Sequence, residues 1–337
     1  MRLRLLRGYS FWPAALVSRP SRTNQLSLLP LSPITEGDVR RHLDPARVIT
    51  AIEEAFHHRY PTALMPLRTQ MNLNNGTFLI MPCYDRQRPA LGIKLIMVTP
   101  AAEQKINATY LLLDPHTACP KLTFPANYLT EVRTAAASAV ATKFLARQDV
   151  KVLGIFGAGR QARSHLKVLR LVRNFERFLV SGPDPATSSA FAQQMAQELE
   201  AKVESVYSRA CAAESDVLCT CTTSATPLFD GHLLRPGTHI NAIGAFQPHT
   251  REVDDVTVQK SKIVVDTYEG ALAEAGDLLI PLNKKLITRN HLLADLHELV
   301  SQKKRVRTTD QDITLFKSVG CALEDLAAAE LLESSHR

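Results

Sequence analysis

Residues 151–162 read KVLGIFGAGRQA: a buried strand (Val152, Leu153, Ile155, Phe156), a Gly157-Ala158-Gly159 turn, and a helix that begins near Arg160. Strand, glycine turn and helix in that order make the first βα unit of a dinucleotide-binding fold. Gly157 permits the tight turn. Gly159 lets the backbone approach a pyrophosphate, which sits on the free N–H groups at the positive end of the helix dipole. Ala162 replaces a third glycine and is still small enough for close helix–strand packing. Glycines at a helix start are common, so the flanks carry the weight. Ala162, Leu166, Leu169 and Val172 form an apolar face at helical spacing, and a second strand, 178–180, follows at the expected distance.

Downstream the alternation continues, with a helix over 188–200 and strands at 203–206, 216–222, 238–243 and 263–265. Strands separated by helices predict a mainly parallel sheet whose ligand lies at the strands' carboxyl ends. Those ends carry Gly157, Ala158, Gly159, Ser181, Thr222, Ile243 and Gly244; with Arg160, Gln161 and Thr134 they form the expected cofactor-binding set. The cofactor is NADP or NAD. An NAD site usually shows an acid at the end of the second strand, but here Asp184 comes two positions after Gly182. No acid opposes a 2′-phosphate and Arg160 can reach one, which favours NADPH.

Upstream, Thr35 or Asp38 can cap a helix, and 45–60 carries Val48, Ile49, Ile52, Ala55 and Phe56 at helical spacing. Residues 68–73 alternate as a strand, Asn74-Asn75-Gly76 is a hairpin turn, and 77–81 pairs back. Further strands at 90–98 and 108–113, with a turn at 114–117, predict an α+β domain ahead of the Rossmann unit. Residues 128–146 read as a long Ala-rich helix with Thr130 as its cap or an early-turn residue. Arg133 sits among its alanines, either snorkelling at a helix edge or facing an anion. Segment 314–330 opens with a strand-like or turn piece and ends as an Ala-rich helix. It is placed beyond the sheet, packing back on the first domain.

At 337 residues, 45% hydrophobic and 22% charged, the chain has the composition of a soluble globular protein with room for two domains. No apolar run reaches transmembrane length, so no membrane partner is expected. The six cysteines show no CxxC spacing, and neither zinc nor disulfides are indicated. The formal charge of +7 falls to +2 without Arg2, Arg4, Arg7, Arg19 and Arg22, so it does not point to nucleic acid. Those arginines lie in a tail, residues 1–28, expected to be poorly ordered. Its composition is that of a mitochondrial presequence, or of an over-long translation start ahead of a cytoplasmic enzyme. Lys303-Lys304-Arg305 with Arg307 is a second basic cluster, read as a solvated helix end or loop.

Three segments together, LTEVRTAAASAVATKFLA (129–146), VLGIFGAGRQARSH (152–165) and FKSVGCALEDLAAA (316–329), resemble the ornithine cyclodeaminase/mu-crystallin family. GIK (92–94), GTHINAIGA (237–245) and EAGD (274–277) support the resemblance, which runs from about Leu31 to the C-terminus. It implies a Rossmann domain, 149–307, inserted in an α+β substrate and dimerisation domain, 29–148 plus 308–337, and a homodimer. It also implies that Arg68, Lys94 and Arg133 hold a substrate carboxylate. Guanidinium forks and an ammonium suit that task, and three converging cations repel one another unless an anion fills the gap.

Cyclodeaminases of the family carry an aspartate directly after the pair that is Gly244-Ala245 here, to help deprotonate the substrate amine. This chain has Phe246, which cannot. The departure moves the expectation to an NAD(P)H-dependent reductase of cyclic ketimine carboxylates: Δ1-pyrroline-2-carboxylate to L-proline, with Δ1-piperideine-2-carboxylate to L-pipecolate as its neighbour. Rival readings are an ornithine cyclodeaminase, an L-alanine dehydrogenase, and a nucleotide-dependent binding protein without turnover. The expected substrate is a small imino or amino acid. Glu252, Asp254 and Asp255 match a stretch the family carries anyway and are not recruited as replacement acids.

Overall fold

The computed structural model describes residues 34–102, 106–117 and 119–335; the tail over 1–28 lies outside them. Five antiparallel strands, β1 (Thr69–Leu73), β2 (Gly76–Asp85), β3 (Ala90–Val98), β4 (Ile106–Leu113) and β5 (Pro120–Pro125), pair in chain order. Their alternation buries one face: Leu79, Met81 and Cys83 on β2, Tyr110 and Leu112 on β4, Leu122 and Phe124 on β5. Helices Pro45–Glu54, Asn127–Leu145 and Ala322–Ser335 cover that face in one core, with Ile52, Leu129, Ala136 and Leu326 among its members.

The second sheet holds eight strands, all parallel: β6 (Val152–Phe156), β7 (Arg177–Ser181), β8 (Val203–Ser205), β9 (Val217–Thr220), β10 (His239–Ala242), β11 (Ser261–Val265), β12 (Leu292–Asp295) and β13 (Ile313–Lys317). Its central strands are buried on both faces and mostly apolar, as Leu153, Ile155 and Phe156 show, while the edge strand β8 is only partly buried. The order is β12-β11-β13-β10-β9-β6-β7-β8. From β6 the chain winds outward through β7 and β8, then returns to β9 on the other side. That reversal opens a crevice at the carboxyl ends of β6 and β9.

Two local expectations need correction, and one open between two readings is settled. The segment from Thr314 does not lie beyond the sheet: β13 is inserted between β11 and β10, with Leu315 and Phe316 fully buried. A five-residue strand carries no signal for its neighbours, which only the tertiary pairing decides. The helix after it does pack on the antiparallel sheet. Of the two readings of Thr130, cap or early-turn residue, the second holds: the helix Asn127–Leu145 has Ala126 as its N-cap with no side-chain cap, and Thr130, in the first turn, donates through Oγ1 to the Ala126 carbonyl at 2.7 Å. The helix expected over 45–60 is regular only over Pro45–Glu54 and continues as a π turn and a 3-10 turn to Thr62. Thr35 does cap Glu36–His42, with Asp38 closing a capping box. Among the described residues no helix is long and apolar enough to cross a membrane, and all six cysteines are free.

Candidate active site

Where the crevice meets the antiparallel sheet there is a cavity of about 330 Å³. One wall is formed where the glycine turn runs into the next helix, by Gly159, Arg160 and Gln161. Gly157 has φ +116°, and a Cβ there would come within 2.6 Å of the Cys221 carbonyl oxygen, so only glycine fits. Its N–H is held by the Ser181 carbonyl at 2.8 Å. Gly159 is the N-cap of Arg160–Val168 and provides no side-chain cap, and a Cβ built on it meets nothing within 4 Å. The first N–H groups of that helix therefore face open space, as a pyrophosphate requires. Thr134, Arg160, Gln161, Thr222, Ile243 and Gly244 line the same cavity. Gly157, Ala158 and Ser181 are not on its wall; Ser181 is buried and acts through its carbonyl.

The charges just past the carboxyl end of β7 and at the start of Arg160–Val168 are already engaged. Both Asp184 oxygens are taken by the cap of Pro185–Leu199, from Thr187 N (2.9 Å) and Thr187 Oγ1 (2.7 Å), and those bonds hold its carboxyl below the usual range. Arg160 points elsewhere, its Nε 3.5 Å from Glu131 Oε1 and its NH2 3.4 Å from the Ile106 carbonyl.

On the opposite wall stand Arg68 and Arg133, with Phe246 beside Arg68: the guanidinium carbon is 5.8 Å from the ring centroid. Lys94 does not line the cavity, since it is wholly buried. The three cations do not wait for an external anion. Lys94 Nζ pairs with Asp325 at 2.7 Å, Arg133 with Glu324 (2.5 Å) and Asp325 (2.9 Å), and Arg68 with Glu274 (2.9 Å). Arg133 is thus neither at a helix edge nor exposed; the alanines around it leave room for a buried ionic cluster. Burial, then the neighbouring Arg133 charge, push the Lys94 ammonium down to about 8. Burial raises the Glu324 carboxyl to about 7 despite Arg133. For Arg133, burial works against the charge, but Asp325 and Glu324 more than offset it and raise its pKa.

A second buried network fixes the carboxyl ends of β9 and β10. Glu252 is fully buried and accepts from Thr220 Oγ1, Thr222 N, Thr222 Oγ1 and Gly244 N, each at 2.7 Å, and from Ala245 N at 3.2 Å. Its oxygens are committed to the scaffold. Asp277 accepts from Glu252 N (2.7 Å) and Val253 N (3.0 Å) and pairs with Lys317 (2.8 Å), which donates to the Ala245 carbonyl at 2.6 Å. The sequence alone names no partner for Glu274, Asp277, Glu324 or Asp325. The available signal was two adjacent acids in an otherwise apolar helix, since a buried carboxylate needs a cation.

The Delta(1)-pyrroline-2-carboxylate reductase of Bacillus cereus is 37% identical over 278 residues, covering 80% of this chain and 85% of that one. The structure of the Thermococcus litoralis Delta(1)-pyrroline-2-carboxylate reductase, in complex with NADH and L-proline, superposes with a TM-score of 0.86 at 39% identity, covering 89% of this chain and 96% of that one. An archaeal alanine dehydrogenase dimer with bound NAD follows at a TM-score of 0.84 and 29% identity, over 89% of this chain and 94% of that one. The family model for ornithine cyclodeaminase/mu-crystallin matches residues 34–336. By that match and by these relatives, the chain belongs to the ornithine cyclodeaminase/mu-crystallin family.

Proposed function

We propose that this protein is an NAD(P)H-dependent reductase of cyclic ketimine carboxylates, taking Δ1-pyrroline-2-carboxylate to L-proline. One observation carries the reading. A single cavity joins an uncapped helix N-terminus to two guanidiniums, and an aromatic ring stands where the family's cyclodeaminases carry an acid. The reductase relatives support the same chemistry.

The residues fit a nicotinamide dinucleotide, because the space over Gly159 is open and the helix behind it is uncapped. When bound, that cofactor supplies the hydride. The protein supplies position and field. Gly159 and the first turn of Arg160–Val168 hold the pyrophosphate. Arg68 and Arg133 hold the substrate carboxylate, and Lys94 adds positive charge from behind Asp325. Fixing the carboxylate fixes the ring and sets its C=N carbon for attack. A cyclic imine nitrogen carries its own proton near neutral pH, so no acid is needed at Phe246, and the phenyl ring offers a flat cation an apolar wall. NADPH is the preferred form on this reading, because Asp184 is locked in a cap and no other acid ends β7.

The antiparallel sheet with Ala322–Ser335 takes the substrate, and the parallel sheet takes the dinucleotide. A homodimer forms through the first: β1 is an edge strand exposed along its whole length, and Leu64, Leu67, Met71 and Met97 are exposed apolar side chains in that region. The dimeric alanine dehydrogenase supports this assembly. The decisive assay follows NADPH and NADH consumption with both cyclic imines, with pyruvate plus ammonia, and with L-ornithine under NAD. Imine reduction is expected. Ammonia released from ornithine without imine reduction would overturn the reading.

A further inference from the structure

β11 and β13 are parallel neighbours in register, Val265 opposite Lys317, so the residues just past each strand meet at the rim of the cavity. Asp266 is the first residue beyond β11. It is fully buried, and among the described residues it has no ion-pair partner. Its Oδ2 instead accepts from Ser318 Oγ (3.0 Å), Val319 N (2.7 Å) and Gly320 N (2.6 Å), while Oδ1 accepts from Thr267 N (2.7 Å). One carboxylate thereby dictates the shape of the tripeptide 318–320.

That tripeptide separates the two guanidiniums of the cavity. Arg68 NH2 donates to the carbonyls of Val319 and Gly320, the latter at 2.9 Å. Arg133 packs on the other side: Gly320 has φ +80°, and a Cβ there would lie 2.5 Å from Arg133 NH1. With its N–H groups turned to Asp266, the loop turns its carbonyls to Arg68 and its bare Cα to Arg133. We propose that Asp266 is a positioning residue for the reaction: through 318–320 it sets the separation at which Arg68 and Arg133 grip a planar carboxylate. This rests on the reductase reading, since it concerns how that substrate is held.

The test uses the full-length protein and two variants, Asp266→Asn and Gly320→Ala. Asn is isosteric, but its NH2 cannot accept, so part of the loop's anchoring is lost. Ala at 320 leaves Asp266 intact and displaces Arg133 directly. Both should raise KM for Δ1-pyrroline-2-carboxylate about tenfold or more, because misplaced holding groups misalign the reacting carbon. KM for NADPH should stay put, a split that general loosening of the fold would not produce. A crystal structure of Asp266→Asn should show the Gly320 carbonyl withdrawn from Arg68. A folded Asp266→Asn protein with unchanged imine KM, or with both KM values raised alike, would overturn the proposal. So would an unmoved 318–320 loop, a result independent of turnover. Wild-type protein that reduces no cyclic imine would instead refute the reductase reading. If Asp266→Asn does not fold, Ser318→Ala, which removes one of the three donors to Asp266 Oδ2, takes its place: a raised imine KM with an unchanged NADPH KM supports the proposal, and an unchanged imine KM overturns it.

Discussion

Lys94 Nζ lies 2.7 Å from Asp325 Oδ1, and neither side chain has any exposed surface. Asp325 also faces Arg133 Nε at 2.9 Å, so one carboxylate is shared by a cation on a strand and a cation on a helix, and Glu324 on Arg133 supplies the second negative charge. Among the described residues its own second oxygen has no hydrogen-bond partner. The cluster is charge-balanced but incompletely satisfied, an arrangement that costs stability unless it holds groups ready for a ligand.

Removing Asp325 should therefore hurt more than removing Lys94. Asp325→Asn leaves two buried cations short of charge and should cost about 3–5 kcal/mol in urea unfolding. Lys94→Met leaves Asp325 still paired with Arg133 and should cost less. The reverse order would show that the pairing is not what holds this core together.

Lys94 also predicts a pH dependence. Burial, and then the Arg133 charge, bring its ammonium down to about 8. A bound carboxylate favours the protonated form, so it raises that pKa in the complex. Affinity for a carboxylate is then full below pH 8 and lost as pH rises above it. The Kd of pyrrole-2-carboxylate, which has no amine of its own, measured from about pH 7 to about pH 10, checks this. Lys94→Arg should flatten the profile; a flat profile in wild type would show that the ammonium's field does not reach the cavity.

The glycine turn makes two opposite predictions at positions two residues apart. Gly157→Ala must strain a φ of +116° and meet the Cys221 carbonyl, so it should lower Tm. Gly159→Asp sets its Cβ in open space, so Tm should hold, while its charge falls where the pyrophosphate belongs and dinucleotide binding is lost. Fluorescence titration with NADPH separates the two. Unchanged affinity in Gly159→Asp would end the assignment of this turn to the cofactor.

The contrast between these residues and the ionic cluster shows what a sequence can carry. The turn at 157–159 was legible because its chemistry is local: strand, glycines and amphipathic helix are contiguous, and few backbones satisfy all three. The hairpin at 74–76, with β1 and β2 on either side of it, was legible for the same reason. The partners of Arg68, Lys94 and Arg133 were not. Glu274, Asp325 and Glu324 lie about 190–230 residues away in the chain, and pairing at that separation leaves no periodic trace. The same holds for β13, whose position between β11 and β10 is set by which apolar faces meet.

His165 should dominate part of the acid sensitivity. It is buried with Nε2 2.9 Å from Ser138 Oγ and Nδ1 2.8 Å from the Gln161 carbonyl, and burial lowers its pKa to about 4. Because the folded pKa lies below that of the unfolded chain, the unfolded state binds more protons between these two values. Its contribution is present above about pH 6.5 and declines as pH falls toward 4, by about 2 kcal/mol at pH 5. His165→Gln should make Tm less steep over that range. His239, lowered to about 3 by burial and then Arg307, acts in the same direction and leaves a residual slope. An unaltered slope in His165→Gln would place the acid-sensitive group elsewhere.

The last prediction concerns Phe246, whose ring centroid is 5.8 Å from the Arg68 guanidinium carbon on the cavity wall. Phe246→Asp restores the residue type that the family's cyclodeaminases carry, but in a cavity built around a ring. The new carboxylate would stand beside Arg68, which already shares its charge with Glu274. Two carboxylates on one guanidinium leave little for a third, so the substrate's carboxylate should bind worse and KM for Δ1-pyrroline-2-carboxylate should rise about tenfold. Phe246→Leu keeps the wall apolar and adds no charge, so its KM should stay near that of wild type. Neither the wild type nor Phe246→Leu should release ammonia from L-ornithine, because burying its second ammonium against an apolar wall goes uncompensated. Steady-state kinetics with the imine and an ammonia assay with ornithine, run on all three proteins, decide it. A Phe246→Asp enzyme with unchanged imine KM would show that Arg68 does not hold the substrate carboxylate, and the orientation proposed for the substrate would have to be abandoned.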